Sequence, residues 1–111
     1  MGKFVVTTRK NGDFQFVLKA TNGQVILSSQ GYSTKANCLN GVESVKKNSQ
    51  IDDRFEIKEA KDGSPFFNLK SSNGQIIGSS QMYSSERSMK EGIASVMKNA
   101  PEAEVVEELE Q

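Results

Sequence analysis

The sequence predicts an α+β fold: two strand–strand–strand–helix repeats sharing one mostly antiparallel sheet, with both helices on the same face. Three observations predict it. Residues 3–49 lie over residues 54–100 at a constant offset of 51 without a gap, and 20 of the 47 pairs are identical. Within each copy, hydrophobic alternation of period two is interrupted by Asn-Gly or Asp-Gly turn signals. After the tyrosine of each copy the period lengthens to that of a helix. Such a duplication fixes the folding unit, and each half of about 50 residues is near the size at which a solitary core becomes marginal. The halves are therefore expected to share one core. The whole chain, residues 1–111, is expected to be a single domain made of these two repeats plus an acidic C-terminal tail over 101–111.

The first strand of copy one is Lys3-Phe4-Val5-Val6-Thr7-Thr8, ended by Lys10-Asn11-Gly12-Asp13. Its counterpart is Arg54-Phe55-Glu56-Ile57-Lys58-Glu59, where Phe55 and Ile57 face one way and Glu56 and Lys58 the other, ended by Lys61-Asp62-Gly63-Ser64. Asn-Gly and Asp-Gly supply the positive φ angles of tight hairpin turns. The second strands place Phe16 and Leu18, and Phe67 and Leu69, on the core face. Asn22-Gly23 and Asn73-Gly74 turn into third strands over Gln24–Gln30 and Gln75–Gln81. Ser33 and Ser84 are expected to cap the following helices, because a serine oxygen accepts from a free N–H of the first turn. Cys38, Val42 and Val45 recur at i, i+4, i+7, as do Met89, Ile93 and Val96. Asn48 and Asn99 are expected to stop the helices in a left-handed conformation. Gly41 and Gly92 sit mid-helix, where glycine costs about 1 kcal/mol relative to alanine. Incurring that cost twice at one place implies that the helix backbone lies close on the sheet there. Glu104-Val105-Val106-Glu107, 51 positions after Asp53-Arg54-Phe55-Glu56, is in register for a short seventh strand.

Apolar content is only 35 %, but it falls in patterned blocks, so the chain reads as folded. No apolar run approaches the ~18 residues of a membrane span, and Met1-Gly2-Lys3-Phe4 lacks a signal-peptide core; a cytoplasmic location is expected. Gly2 is not a myristoylation signal, since position 6 is Val6 rather than Ser or Thr. Cys38 is the only cysteine, and its counterpart is the apolar Met89, so it reads as a small core hydrophobe. Net charge is zero but unevenly spread, from +5 over residues 1–49 to −5 over the tail from Ala100.

Three motifs together point further: Phe-x-Leu-Lys at Phe67–Lys70, Asn-Gly-Gln-x-Ile-x-x-Ser-Ser-Gln-x-Tyr at Asn73–Tyr83, and Gly-Ile-x-Ser-Val-x-x-Asn at Gly92–Asn99. Copy one departs slightly in the last, with Gly41-Val42-Glu43-Ser44-Val45. In these motifs the chain resembles the YegP-like family of small bacterial tandem-repeat proteins. The resemblance spans nearly the whole chain. It implies tandem three-strand-plus-helix units on one sheet, with the terminal strand exchanged between units, and it implies no activity.

The chemistry-bearing residues point away from catalysis. The chain has no histidine, the commonest general base and transition-metal ligand, and no cluster of carboxylates offers a metal site or calls for a cofactor. Asp52-Asp53 reads as a solvated turn, and Ser28-Ser29 and Ser79-Ser80 have no evident activating base. Two sets of binding candidates stand out. The first is the polar set repeated between strand and helix: Ser29, Gln30 and Tyr32, with Ser80, Gln81 and Tyr83. Tyrosine, amide and hydroxyl groups make adaptable contacts, although the same groups serve strand ends and helix starts. The second is the sheet face opposite the helices, with Val5, Gln15, Val17 and Lys19 from copy one and Phe66, Asn68 and Lys70 from copy two. The expected function is that of a non-enzymatic binding or interaction module for a protein or small ligand, acting as a monomer because the duplication supplies its own pseudo-twofold partner. The alternative is a weak nucleic-acid binder that uses the basic first repeat, with Arg9, Lys10, Lys19 and Lys70 on phosphate and Phe66 as the one aromatic of the open face.

Overall fold

A computed structural model describes residues 2–109. The elements follow the duplication: β1 (Lys3–Thr8), β2 (Phe14–Lys19), β3 (Val25–Ser28) and α1 (Lys35–Asn48), then a one-turn 3-10 helix (Asp52–Arg54). Copy two gives β4 (Phe55–Glu59), β5 (Pro65–Lys70), β6 (Ile76–Ser79) and α2 (Glu86–Asn99), and β7 (Glu104–Glu108) closes the chain. All seven strands form one sheet in the order β4-β5-β6-β3-β2-β1-β7. Each repeat is an antiparallel meander, and the two join antiparallel at Ser28↔Ser79. β7 is the exception. It returns from the second repeat to the first and pairs parallel with β1, Lys3↔Glu104 through Thr7↔Glu108. The terminal strand is thus exchanged onto the other repeat.

The four hairpin turns share one geometry. Positive φ occurs at Gly12, Gly23, Gly63 and Gly74, and among the described residues at no non-glycine. In the first, Gly12 N–H donates to the Arg9 carbonyl and Arg9 N–H to the Asp13 carbonyl. This is a type I turn followed by one left-handed glycine, not the two-residue turn that Asn-Gly suggests alone. The Asn11, Asn22, Asp62 and Asn73 side chains each accept from the N–H two residues on, so the residue before glycine contributes its side chain rather than a positive φ.

One core lies between sheet and helices, joining Phe4, Val6, Phe16, Leu18, Leu27, Phe67 and Leu69 to Cys38, Val42, Val45, Met89 and Val96. The aromatics repeat their packing. Phe4 meets Phe16 edge-on with centroids at 5.8 Å, and Phe55 meets Phe67 at 5.7 Å. Tyr32 then stacks on Phe16 at 6.2 Å and Tyr83 on Phe67 at 6.3 Å. These tyrosines account for the mid-helix glycines: a Cβ on Gly41 would lie 2.5 Å from Tyr32 Oη and 3.0 Å from Phe16 Cε2. What occupies the space is chiefly the tyrosine ring, rather than the sheet alone.

Several local expectations shift. Thr34 and Ser85 cap the helices, not Ser33 and Ser84, and accept from Asn37 N–H and Ser88 N–H. In copy one the delay follows from Tyr32, which still pairs with Phe14 through two backbone hydrogen bonds of 2.7 Å and holds the chain extended. Asn48 and Asn99 are helical rather than left-handed; each Nδ2 donates back to a carbonyl one turn earlier, Ser44 or Ser95, at 2.8 Å. The third strands are shorter than expected, Val25–Ser28 and Ile76–Ser79: the Ser29 and Ser80 N–H groups still donate to the Phe16 and Phe67 carbonyls, but the N–H groups of Phe16 and Phe67 turn to the serine Oγ. At the seam between repeats the copies differ. A Cβ on Gly78 would fall 2.7 Å from the Leu27 side chain, so one leucine fills the space for both.

Candidate functional site

The repeated serines are held within the fold. Ser29 Oγ accepts from Phe16 N–H at 2.9 Å and donates to the Gln30 carbonyl at 2.8 Å. Ser80 Oγ does the same with Phe67 N–H at 3.0 Å and the Gln81 carbonyl at 2.7 Å. A hydroxyl committed to a donor and an acceptor replaces a missing ladder bond where the third strand turns away. Tyr32 and Tyr83 lie half-buried between Phe16 or Phe67 and the helix glycine. Burial pushes both phenols above their ordinary pKa, with Cys38 adding to the effect at Tyr32. Gln30 and Gln81 stand at the surface beside them. The fold thus places this set in two copies that diverge from the Ser28↔Ser79 seam, with the reactive atoms engaged in packing and ladder repair.

The open sheet face carries Gln15 and Lys19 on β2, and Phe66 and Lys70 on β5, but not as one cluster. Strand register lines up one residue per strand across it: Val106, Val5, Val17, Ser28, Ser79, Asn68 and Glu56. On the copy-one side the row is apolar as far as Val17, with Ser28 at the seam. The copy-two half is a connected polar chain: Ser79 Oγ donates to Asn68 Oδ1 at 2.7 Å, Asn68 Nδ2 to Glu56 Oε1 at 3.4 Å, and Lys70 Nζ to Glu56 Oε2 at 2.7 Å. The Lys70 ammonium first, and Asn68 second, hold the Glu56 carboxyl below the ordinary carboxylate pKa. Gln15 accepts from Arg9 Nε at 2.8 Å. Asn68 was expected on this face, whereas Glu56 and Ser79 were not named for it; their signal was the shared period-two face.

The outer edges differ more than the faces do. On the copy-one flank β7 covers β1, and Phe4 and Val6 are both 0 % exposed. On the copy-two flank β4 is the last strand, and Ile57, the counterpart of Val6, is 55 % exposed. A groove of about 500 Å³ opens beside Ile57, walled by Pro65, Ser85, Glu86 and Met89. On the covered flank Glu107 is tied to the helix start by an ion pair with Lys35, Nζ to Oε1 at 3.0 Å. Among the described residues no three His, Cys, Asp or Glu side chains gather as a metal-ligating group, and no helix is long and apolar enough to cross a membrane.

The arrangement can be set against known proteins. The model of a family described as a domain of unknown function, DUF1508, matches residues 10–56 and again 60–107. The chain belongs to the DUF1508 family. A UPF0339 protein encoded in the ptx operon 5′ region of Stutzerimonas stutzeri is 53 % identical over 106 residues, 96 % of each chain. The UPF0339 protein YegP of Yersinia pestis is 46 % identical over 89 % of this chain and 88 % of its own. The solution NMR structure of YegP from E. coli superposes with a TM-score of 0.94 at 43 % identity, over 99 % of this chain and 95 % of that one. A solution structure of a UPF0339 protein from Shewanella oneidensis gives 0.92 at 45 % identity, over 97 % and 92 %. The two DUF1508 matches recur at the spacing of the repeats, each running from the first hairpin turn of a copy through its helix into the strand that follows, and the YegP fold is the fold of this chain.

Proposed function

We propose that the chain is a non-enzymatic, monomeric cytoplasmic interaction module whose contact surface is the uncovered outer edge of the second repeat. The observation that carries this reading is the pair Val6 and Ile57: equivalent residues, 0 % and 55 % exposed, that differ because a strand covers one and not the other. An edge strand with no strand on its outer side among the described residues and an exposed branched aliphatic is suited to receive an extended segment of another protein, although the Phe55 N–H already donates to the Asp52 carbonyl. Covering Ile57 would contribute roughly 1 kcal/mol from apolar burial alone. The hydroxyls of Ser29 and Ser80, each committed to two hydrogen bonds, support a role without nucleophilic catalysis. The nucleic-acid alternative has weaker support, because Arg9 and Lys70 are already engaged by Gln15 and Glu56 and Phe66 stands alone as an aromatic of the open face.

The test is a selection of displayed random peptides on the immobilised protein, scored against an Ile57→Lys variant. The expected outcome is a set of binders that lose at least tenfold in affinity on the variant. Failure to enrich, or binders indifferent to position 57, would sink the reading.

A further inference from the structure

We propose that the uncovered edge of β4 takes an extended peptide parallel to itself, with an apolar residue beside Phe55 and, two residues on, a lysine or arginine beside Ile57 facing Glu86. The inference rests on the edge being the contact surface and adds the direction and charge of the partner.

The covered flank supplies the template. β7 runs parallel to β1 with Val105 beside Phe4 and Glu107 beside Val6, and Glu107 reaches Lys35, the first residue of α1. A lysine there is poorly placed for the helix itself, since the N-terminus carries partial positive charge and the first turn of α1 has no acidic residue. Glu107 accounts for it. Moving 51 residues along gives the empty flank: Arg54, Phe55, Glu56, Ile57 and Lys58 in place of Lys3–Thr7, and Glu86 in place of Lys35. The apolar positions facing the helices, Phe4 and Val6, are kept as Phe55 and Ile57, Val5 becomes Glu56 on the opposite face, and the helix-start charge is reversed.

A segment seated on β4 as β7 sits on β1 would therefore bring its fourth residue to a carboxylate. Among the described residues Glu86 pairs with Lys90 at 3.2 Å, with both side chains mostly exposed, so that partner is readily exchanged. The groove beside Ile57 gives room for the aliphatic stem of a long basic side chain. The same reversal discriminates against the chain's own tail. A second molecule adding its β7 here would set Glu107 against Glu86, which opposes head-to-tail growth.

Two peptides test this on the full-length protein. One is the sequence of residues 103–109, Ala-Glu-Val-Val-Glu-Glu-Leu; the other carries lysine in place of its second glutamate, the position of Glu107. Amide shifts are followed over Phe55–Glu59 with either peptide. The lysine peptide is expected to bind roughly three- to tenfold more tightly, the range that an exposed ion pair exchanged for a like-charge contact allows. Glu86→Lys should invert the order. A nitroxide on the peptide N-terminus should broaden Phe55 more than Glu59. Binding without charge preference, a preference that survives Glu86→Lys, or broadening centred on Glu59 overturns this inference and leaves the edge reading standing. Tighter binding of the tail peptide makes a second copy the occupant and overturns it as well. Shifts from neither peptide overturn both readings.

Discussion

Replacing Gly41 with alanine sets two well-measured effects against each other. In an unobstructed helix interior, alanine is favoured over glycine by about 1 kcal/mol. Here the new methyl would come within 2.5 Å of Tyr32 Oη, 2.9 Å of its Cζ and 3.0 Å of Phe16 Cε2. Phe16 is 0 % exposed and cannot retreat, and the half-buried Tyr32 stacked upon it can yield only by giving up that stack. Overpacking of this kind costs about 1–3 kcal/mol, so the net expectation is a destabilisation of about 1 kcal/mol. For a domain of this size that lowers Tm by about 4 °C. Urea unfolding of wild type, Gly41→Ala, Tyr32→Ala and the double variant completes a cycle. With the tyrosine ring gone, Gly41→Ala should turn stabilising, and the coupling should exceed 1 kcal/mol. Were Gly41→Ala stabilising in the wild-type background, the tyrosine would be yielding freely, and steric occupation could not be the reason for the repeated glycine.

Other expectations concern the two flanks and the titrating core. Val6→Ala should cost about 2 kcal/mol in chemical unfolding, whereas Ile57→Ala at the equivalent place should cost less than about 1 kcal/mol, because only the first leaves a buried cavity. Equal losses would contradict the covered and uncovered flanks. Lys35→Glu should lower amide-exchange protection across Glu104–Glu108 by up to about 1 kcal/mol while leaving the β2–β3 ladder unchanged, the exposed ion pair being modest. Undisturbed protection there would show that Lys35 does not hold β7. Burial raises the folded-state pKa of Cys38, Tyr32 and Tyr83 above their ordinary values of 9.0 and 10.0. The unfolded chain then ionises first, so stability should hold through neutral pH and fall as pH rises through and above 9 to 10. Tyr32→Phe with Tyr83→Phe should flatten the steeper part, which denaturation at stepped alkaline pH would reveal.

Much of this fold could be read from the chain because the repeat says each thing twice. Phe16 and Leu18 are confirmed by Phe67 and Leu69, and Cys38 is explained by Met89 at the same helical position. The helix caps were misplaced by one residue because Ser33-Thr34 and Ser84-Ser85 offer adjacent hydroxyls; in copy one the Tyr32 pairing with Phe14 decides between them. The seventh strand was visible as a short pattern and the family resemblance implied its exchange onto the other repeat, but its direction was not legible. Comparison with Asp53–Glu56 finds a likeness, while the pairing with β1 is parallel and depends on where α2 delivers the chain. The candidate site was legible in the same uneven way. The first set of binding candidates came from what the copies share, Ser-Ser-Gln-x-Tyr, and shared residues are those that both halves need in order to fold. The contrast of Lys35 with Glu86, and the uncovered Ile57, lay in the differences.

The leucine and glycine that meet at the seam have a consequence of their own. When two identical chains meet about a twofold axis, every residue near that axis must tolerate its own mirror role, so any change is made on both sides at once. Leu27 and Gly78 escape that demand: one projects, the other yields, and neither would suit a partner identical to itself. Joining the copies in one polypeptide has let the two sides of the seam specialise independently. Once the centre may be asymmetric, nothing obliges the margins to match, and one can be sealed by the chain's own end while the other stays open.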